Sequence, residues 1–154
     1  MKILEYNSTY AAILACLFHD SVHAISLEVY SQEQVNAWAP TPPDLDFWEK
    51  RFQRTQPFIG LINQSAAGFI ELTGNGYIDC LYVHPDFQRR GVATALHAHI
   101  EEKARVAGVS SLTVDASKVA KIFFLNRDFQ QKRMNTVHRN GVTLVNFHMV
   151  KILQ

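Results

Sequence analysis

Between Leu81 and Leu96 the chain reads LYVHPDFQRRGVATAL, and its middle, Gln88 to Ala93, has the residue types and spacing of an anion-binding turn. Gly91 and Ala93 carry little or no side chain. The backbone N–H groups that open a following helix have no partner within it, so they can approach an anion there and bond it directly. Arg89 and Arg90 bring mobile positive charge to the same place. The run reads as a pyrophosphate cradle. It needs a strand before it and a helix after it, and both are legible. Tyr77 to Val83 is rich in β-branched and aromatic residues and is cut off by Pro85. Val92, Leu96, Ile100 and Ala104 recur every four residues, as on a helix with one buried face.

The segment resembles motif A of the GCN5-related N-acetyltransferase (GNAT) superfamily: strand, Gln or Arg, two residues, Gly, one residue, Gly or Ala, helix. Ser117 to Phe129, SKVAKIFFLNRDF, resembles the same family's motif B, a helix followed by a Gly-Phe pair. The two motifs together are more specific than a small-residue turn alone, which can serve packing. The likeness runs loosely before Pro57 and closely from Tyr77 to Phe129. It implies an α/β (mixed α+β) fold, a mostly antiparallel mixed sheet with helices on both faces. It also implies acetyl-coenzyme A as cosubstrate, its pyrophosphate held by Gln88, Arg89, Arg90, Gly91, Val92, Ala93 and Thr94. Two positions depart from the family pattern. Phe124 stands where many members have a Tyr that can protonate the departing thiolate. Asp128 replaces the usual Gly and tolerates a left-handed backbone better than most residues.

Composition agrees with a globular transferase. At 154 residues the chain fits one domain, 1–154, able to bury on the order of 70% of its unfolded surface. Hydrophobic content of 47% against 19% charged argues against disorder, and a net charge of +1 against a dedicated nucleic-acid binder. Cys16 and Cys80 lack metal or redox spacing and read as core-filling thiols. The apolar stretch Ala11 to Phe18 is too short to span a bilayer, and no signal-peptide pattern surrounds it. A cytoplasmic protein without a membrane partner is expected.

Along the chain, Lys2 to Tyr6 reads as a strand. A helix with Tyr10, Ile13, Leu14, Leu17 and Phe18 on one side follows, with Asn7 and Ser8 as N-cap candidates. Ser31 and Gln34 make a capping-box pattern for a short helix ending at Pro40. Asp44 can cap another, with a buried stripe of Leu45, Trp48 and Phe52. Strands 57–62, 66–72 and 77–83 form an antiparallel meander. After the long helix, stopped by Gly108, Ser110 to Asp115 should run parallel to its predecessor. Two final strands flank Asn140-Gly141, a strong hairpin signal.

Acetyl transfer to an amine needs a proton acceptor for the amine, donors for the tetrahedral oxyanion, and departure of the thiolate. Alternation puts Tyr77, Asp79, Leu81 and Val83 on one face of their strand and Ile78, Cys80 and Tyr82 on the other. The resemblance implies that this strand parts from the next parallel one and admits the pantetheine arm. The backbone near Leu81 and Val83 would bond it, with Phe124 nearby. Asp79 is then the candidate general base if burial raises its pKa, or else a structural hydrogen-bond acceptor. Tyr77 joins it as a candidate catalytic residue. The absence of a Tyr at 124 need not abolish activity, because a coenzyme thiol is a good leaving group; Tyr77 and Tyr30 are the candidate proton donors, and both also read as packing aromatics. The spacing of the seven histidines points to no metal.

These observations predict an acetyl-CoA-dependent N-acetyltransferase acting on a primary amine by direct attack in a ternary complex. A small-molecule or peptide amine is the expected acceptor, ahead of aminoacyl-tRNA. The acids Asp44, Asp46 and Glu49 could attract a cationic one. A monomer or homodimer is expected. The alternatives are a coenzyme A-binding module without turnover and, less well supported, a Rossmann-type nucleotide domain, whose glycine turn would belong at the first strand.

Overall fold

The computed structural model describes residues 1–154. Seven strands form one sheet in the order β1-β2-β3-β4-β5-β7-β6. They are β1 (Lys2–Glu5), β2 (Phe58–Ile62), β3 (Ser65–Leu72), β4 (Tyr77–Val83), β5 (Ser111–Ala116), β6 (Gln130–Arg139) and β7 (Val142–Ile152). Every neighbouring pair is antiparallel except β4 and β5. Those two are joined by helix α4 (Val92–Val106), the crossover that a parallel pair requires.

Helices cover both faces. On one side α1 (Ala11–His23), α2 (Gln32–Trp38) and α3 (Leu45–Thr55) bury Leu14, Leu17, Phe18, Val35, Trp48 and Phe52 against Ile59, Phe69 and Cys80. On the other, α4 and the short α5 (Lys121–Leu125) pack Val92, Leu96, Ile100 and Phe124 against Ile70, Ile78, Leu112 and Met149. The four residues of the α4 stripe are all 1% exposed or less. Gly68 makes the close approach of α4 feasible. A Cβ there would lie 2.9 Å from Val92 and 2.8 Å from the Tyr82 carbonyl.

The early helices start as their polar residues dictate, with one displacement. Ser31 and Gln34 form the capping box of α2, and Asp44 accepts the Phe47 N–H to cap α3. Asn7, however, caps a 3-10 turn at Ser8–Tyr10, and α1 begins behind it at Ala11 without a side-chain cap. Two burial expectations also change. Cys16 is exposed, because the buried side of α1 is set by Leu14, Leu17 and Phe18, which leaves Cys16 on the opposite one. Leu45, at the first position of α3, stays 46% exposed, whereas Trp48 and Phe52 are buried.

The alternation expected for β4 is broken in the structure. Glu71 pairs with Cys80 but Leu72 pairs with Ile78, so Asp79 is an extra residue, a β-bulge. Past the bulge the phase flips. Ile78 therefore packs on the α4 side with Leu81 and Val83, not on the opposite side with Cys80 and Tyr82 as strict alternation requires. A bulge also bends its strand, and β4 pairs with β5 only at Tyr77–Thr113 and Ile78–Val114. Beyond Ile78 the two strands separate.

Candidate active site

The separation of β4 from β5 opens a cavity of about 340 Å³ lined by Tyr77 to Tyr82, Val114 to Ser117, Ala120 and Phe124. Its far wall comes from Tyr30, Trp38 and the β6–β7 hairpin, including Arg139. Along this opening the β5-facing backbone of β4 lacks a strand partner. Asp79, Leu81 and Phe124 all line it, whereas Val83, at the end of the strand, does not.

Just past the end of β4 lies the cradle. Gly91 has φ +79°, a conformation L side chains rarely adopt, and a Cβ there would meet nothing within 4 Å. The turn therefore faces open space. The first bond of the helix is Ala95 N–H to Gly91 C=O, and no side chain caps the end. The N–H groups of Val92, Ala93 and Thr94 are left to an outside acceptor. Arg89, itself at φ +60°, and Arg90 are exposed and make no ion pair, while the Arg90 guanidinium sits 5.3 Å from the Phe87 ring.

A third guanidinium was not found from sequence. Arg127 stacks on Phe123 at 3.6 Å, donates to the Phe123 carbonyl at 3.0 Å, and donates to the Thr94 hydroxyl in the first turn of α4. The only sequence signal for it was a cation inside motif B. Asp128, the next residue, takes the left-handed turn at φ +68°.

Behind the bulge, charges are held in a buried network. Arg51 forks onto Glu71, its Nη2 2.6 Å from Oε1 and its Nε 3.1 Å from the same oxygen, and Thr55 donates to Oε2 at 2.6 Å. Glu71 has no exposed surface. The same Nη2 lies 2.9 Å from Asp79 Oδ2 and 3.3 Å from Cys80 Sγ. Burial alone would lower the Arg51 pKa, but its bonds and proximity to the carboxylates raise it well above the ordinary value. Burial, with Glu71 nearby, pushes the Cys80 thiol up, so it stays protonated and is no nucleophile at neutral pH. Asp79 is thus about one-third exposed (32% at its side chain) and paired with a guanidinium, rather than isolated in an apolar pocket.

The candidate hydroxyls differ in what they hold. Tyr77 donates its O–H to Asp115 Oδ2 at 2.9 Å, and Asp115 Oδ1 also bonds His148 Nδ1 and Asn135. Burial and this hydrogen bond raise the Tyr77 pKa strongly. Its proton is already committed. Tyr30 is 2% exposed, and its oxygen accepts the Lys118 N–H at 2.9 Å. Burial raises its pKa, against the opposing bonds from the Lys118 backbone and the Ser117 side chain, so it keeps its proton. Tyr82 accepts the Trp38 indole N–H at 3.2 Å.

A bulged strand splayed from its parallel neighbour, with a small-residue turn and unpaired helix N–H groups at its end, is the arrangement expected of the acetyltransferase fold. The comparisons agree. The family model described as an acetyltransferase (GNAT) domain matches residues 26–151, and the chain belongs to the GNAT acetyltransferase family. It is 36% identical over 149 residues, 97% of this chain and 94% of the relative, to the uncharacterized N-acetyltransferase YafP of Escherichia coli (strain K12). A crystal structure from Rhodopseudomonas palustris, described as a GCN5-related N-acetyltransferase (aminotransferase, class-II), is 37% identical with a TM-score of 0.94, covering 99% of this chain and 95% of that one. The PaiA N-acetyltransferase of Thermoplasma acidophilum, solved in complex with coenzyme A, shares the fold at 15% identity and TM-score 0.79, over 99% and 98% of the two chains. The protein is an N-acetyltransferase of GNAT type. No helix is long and apolar enough to cross a membrane.

Proposed function

We propose that the chain transfers the acetyl group of acetyl-CoA to a primary amine by direct attack, both substrates being bound together. The observation that carries this is that the cradle follows directly on the strand whose separation from β5 opens the cavity. Gly91 faces open space at the cradle, and the cavity beside Asp79, Leu81 and Phe124 lies along β4. Val92, Ala93 and Thr94 N–H groups, with Arg89, Arg90 and Arg127, suit a pyrophosphate. The unpaired β4 backbone through Leu81 and Val83 suits an amide-bearing arm. Acetyl-CoA supplies an activated thioester whose thiol leaves readily, since thiols ionise near a pKa of about 8.5.

The chain's residues then divide the remaining work. Asp79, through its second carboxylate oxygen or a water, takes the proton lost as the amine nitrogen bonds the acetyl carbon. A backbone N–H of β4 offers the oxyanion a donor. As the carbon–sulfur bond breaks, the electron pair goes to sulfur, which is protonated from Tyr30 or solvent. Tyr77 acts through Asp115, holding the floor of the cavity. The products are the acetamide and the free thiol.

Calorimetric titration with acetyl-CoA and thiol release with an amine panel test this reading. Asp79→Asn should cut turnover strongly at neutral pH and less at higher pH, where the amine loses its proton unaided. Wild-type turnover at every pH would make Asp79 structural. Saturable coenzyme A binding without thiol release would support the binding-module alternative.

A further inference from the structure

The second cavity, of about 480 Å³, lies on the α1–α3 side and shares Trp38, Asp79, Cys80, Tyr82 and Arg139 with the first. It is within the size range of small-molecule sites. Resting on the acetyl-transfer reading above, we propose that it takes the acceptor, and that the acceptor is a small aromatic amine carrying a carboxylate close to its amino group, as a free aromatic amino acid does.

The walls define the body of the molecule. Phe18 packs at 4.5 Å on Trp48 and edge-on at 4.9 Å to Tyr82, and Phe47 meets Trp48 at 5.6 Å. With Trp38 these rings all line the cavity. Aromatic faces and edges of this kind favour another ring over a polar chain.

The charges define its polar end. Of the two guanidiniums lining the cavity, Arg51 is engaged by Glu71 and Asp79, whereas that of Arg139 makes no ion pair or side-chain hydrogen bond. Arg139 stands where the two cavities meet. An unopposed cation there disfavours a polyamine and favours a carboxylate, which a guanidinium can hold by two parallel bonds. Asp44 does line the cavity but is engaged in capping α3, and Asp46 and Glu49 are not among its walls. The acidic cluster does not make this a cationic site.

The roof limits size. Asn140 at the tip of the β6–β7 hairpin donates to the Ala37 carbonyl at 3.0 Å, and Gln34 donates to the Thr143 carbonyl at 3.1 Å. These bonds tie the hairpin to α2 at the wall of the cavity, where Ala37 and Asn140 both line it, and so narrow the room for an extended peptide. In the reaction the amine nitrogen bonds the acetyl carbon and the carbon–sulfur bond breaks. One proton leaves nitrogen through Asp79 or solvent and the thiolate takes one up.

Thiol release from acetyl-CoA is measured with phenylalanine, phenethylamine, spermidine and a tripeptide with a free N-terminus, on wild type and Arg139→Gln. The expected result is kcat/KM at least about tenfold higher for phenylalanine than for phenethylamine, with Arg139→Gln raising KM for phenylalanine by about tenfold more than for phenethylamine and so closing that gap. Preference for spermidine, the peptide or phenethylamine overturns the acceptor class but not the chemistry, as does an equal effect of Arg139→Gln on all amines. No release with any amine, while calorimetry shows acetyl-CoA bound, overturns the acetyl-transfer reading together with the class. Failure of acetyl-CoA itself to bind overturns the underlying reading instead.

Discussion

His97 lies in the interface between α4 and α5, 4% exposed, with its ring edge-on to Phe123, Phe124 and Phe129 and its Nε2 without any partner. Burial pushes its pKa from 6.5 down to about 4, against the partial support of Glu101 and with the further opposition of Lys151 and Arg127. The folded protein thus holds the ring neutral while the unfolded chain protonates it near 6.5. A depressed histidine pKa contributes stability in full above the unfolded value, and that contribution is lost as pH falls through the interval toward about 4. At about 1.36 kcal/mol per pH unit the loss is about 3 kcal/mol, or about 6 to 12 °C in Tm for a domain of this size. The perturbation is His97→Leu, which fits the apolar surroundings and does not titrate, with His97→Gln as a second non-titrating variant. Urea unfolding followed by the fluorescence of Trp38 and Trp48 between pH 7.5 and 4.5 gives the stability curves. Other groups titrate in all three proteins, so the decisive quantity is the difference in slope. Wild type should lose about 2.5 kcal/mol more than either variant over this range. Parallel curves would refute the claim that a neutral, buried His97 is what acid attacks.

Gly91→Glu should abolish acetyl-CoA binding in calorimetry while the far-ultraviolet circular dichroism persists, since the new side chain points into open space at the cradle with the wrong charge. Unchanged affinity in the folded variant would remove the cradle from this turn. Each direct arginine–phosphate contact is worth on the order of 1.5 to 3 kcal/mol. Arg89→Ala combined with Arg90→Ala should therefore weaken coenzyme A about tenfold or more yet leave pantetheine, which lacks the nucleotide, unaffected. Equal losses would exclude a phosphate role. Tyr30→Phe should lower kcat by about tenfold with little change in KM, and adding Phe124→Tyr to it should restore part of the loss by returning a hydroxyl to the same cavity. A Tyr30→Phe enzyme with wild-type kcat would mean that solvent protonates the thiolate.

Local pattern and distant pairing were not equally legible in the sequence. The α4 stripe, the capping box at Ser31 and Gln34, and the Asn140-Gly141 turn, whose residues both adopt positive φ, are set by residues within a turn or two of one another, and all took the predicted form. The exposure of Cys16 could have been read from the phase of Leu14, Leu17 and Phe18. The bulge at Asp79 could not, because it exists only in the register of β4 against β3. Strict alternation therefore misassigned Ile78. The partners of the site residues were hidden for the same reason. Arg51 reaches Glu71 across 20 residues, Arg127 reaches Thr94 across 33, and Tyr77 reaches Asp115 across 38. Residue type showed that these groups needed partners, but not which ones the sheet would bring to them.

The Arg51–Glu71 pair also constrains how relatives of this chain can diverge. Losing one partner of a buried, hydrogen-bonded ion pair costs about 3–5 kcal/mol, a large share of the 5–15 kcal/mol that keeps an ordinary domain folded. Single substitutions at either position are therefore steep descents, and descendants should keep both or replace both together. Because Arg51 sits on the same helix as Phe47 and Trp48, this linkage also anchors their helix against β3, with Asp79 tied to the same guanidinium. Descendants that adopt new acceptors should do so by exchanging side chains along α3 and the β6–β7 hairpin, while the tilt of the helix is inherited unchanged.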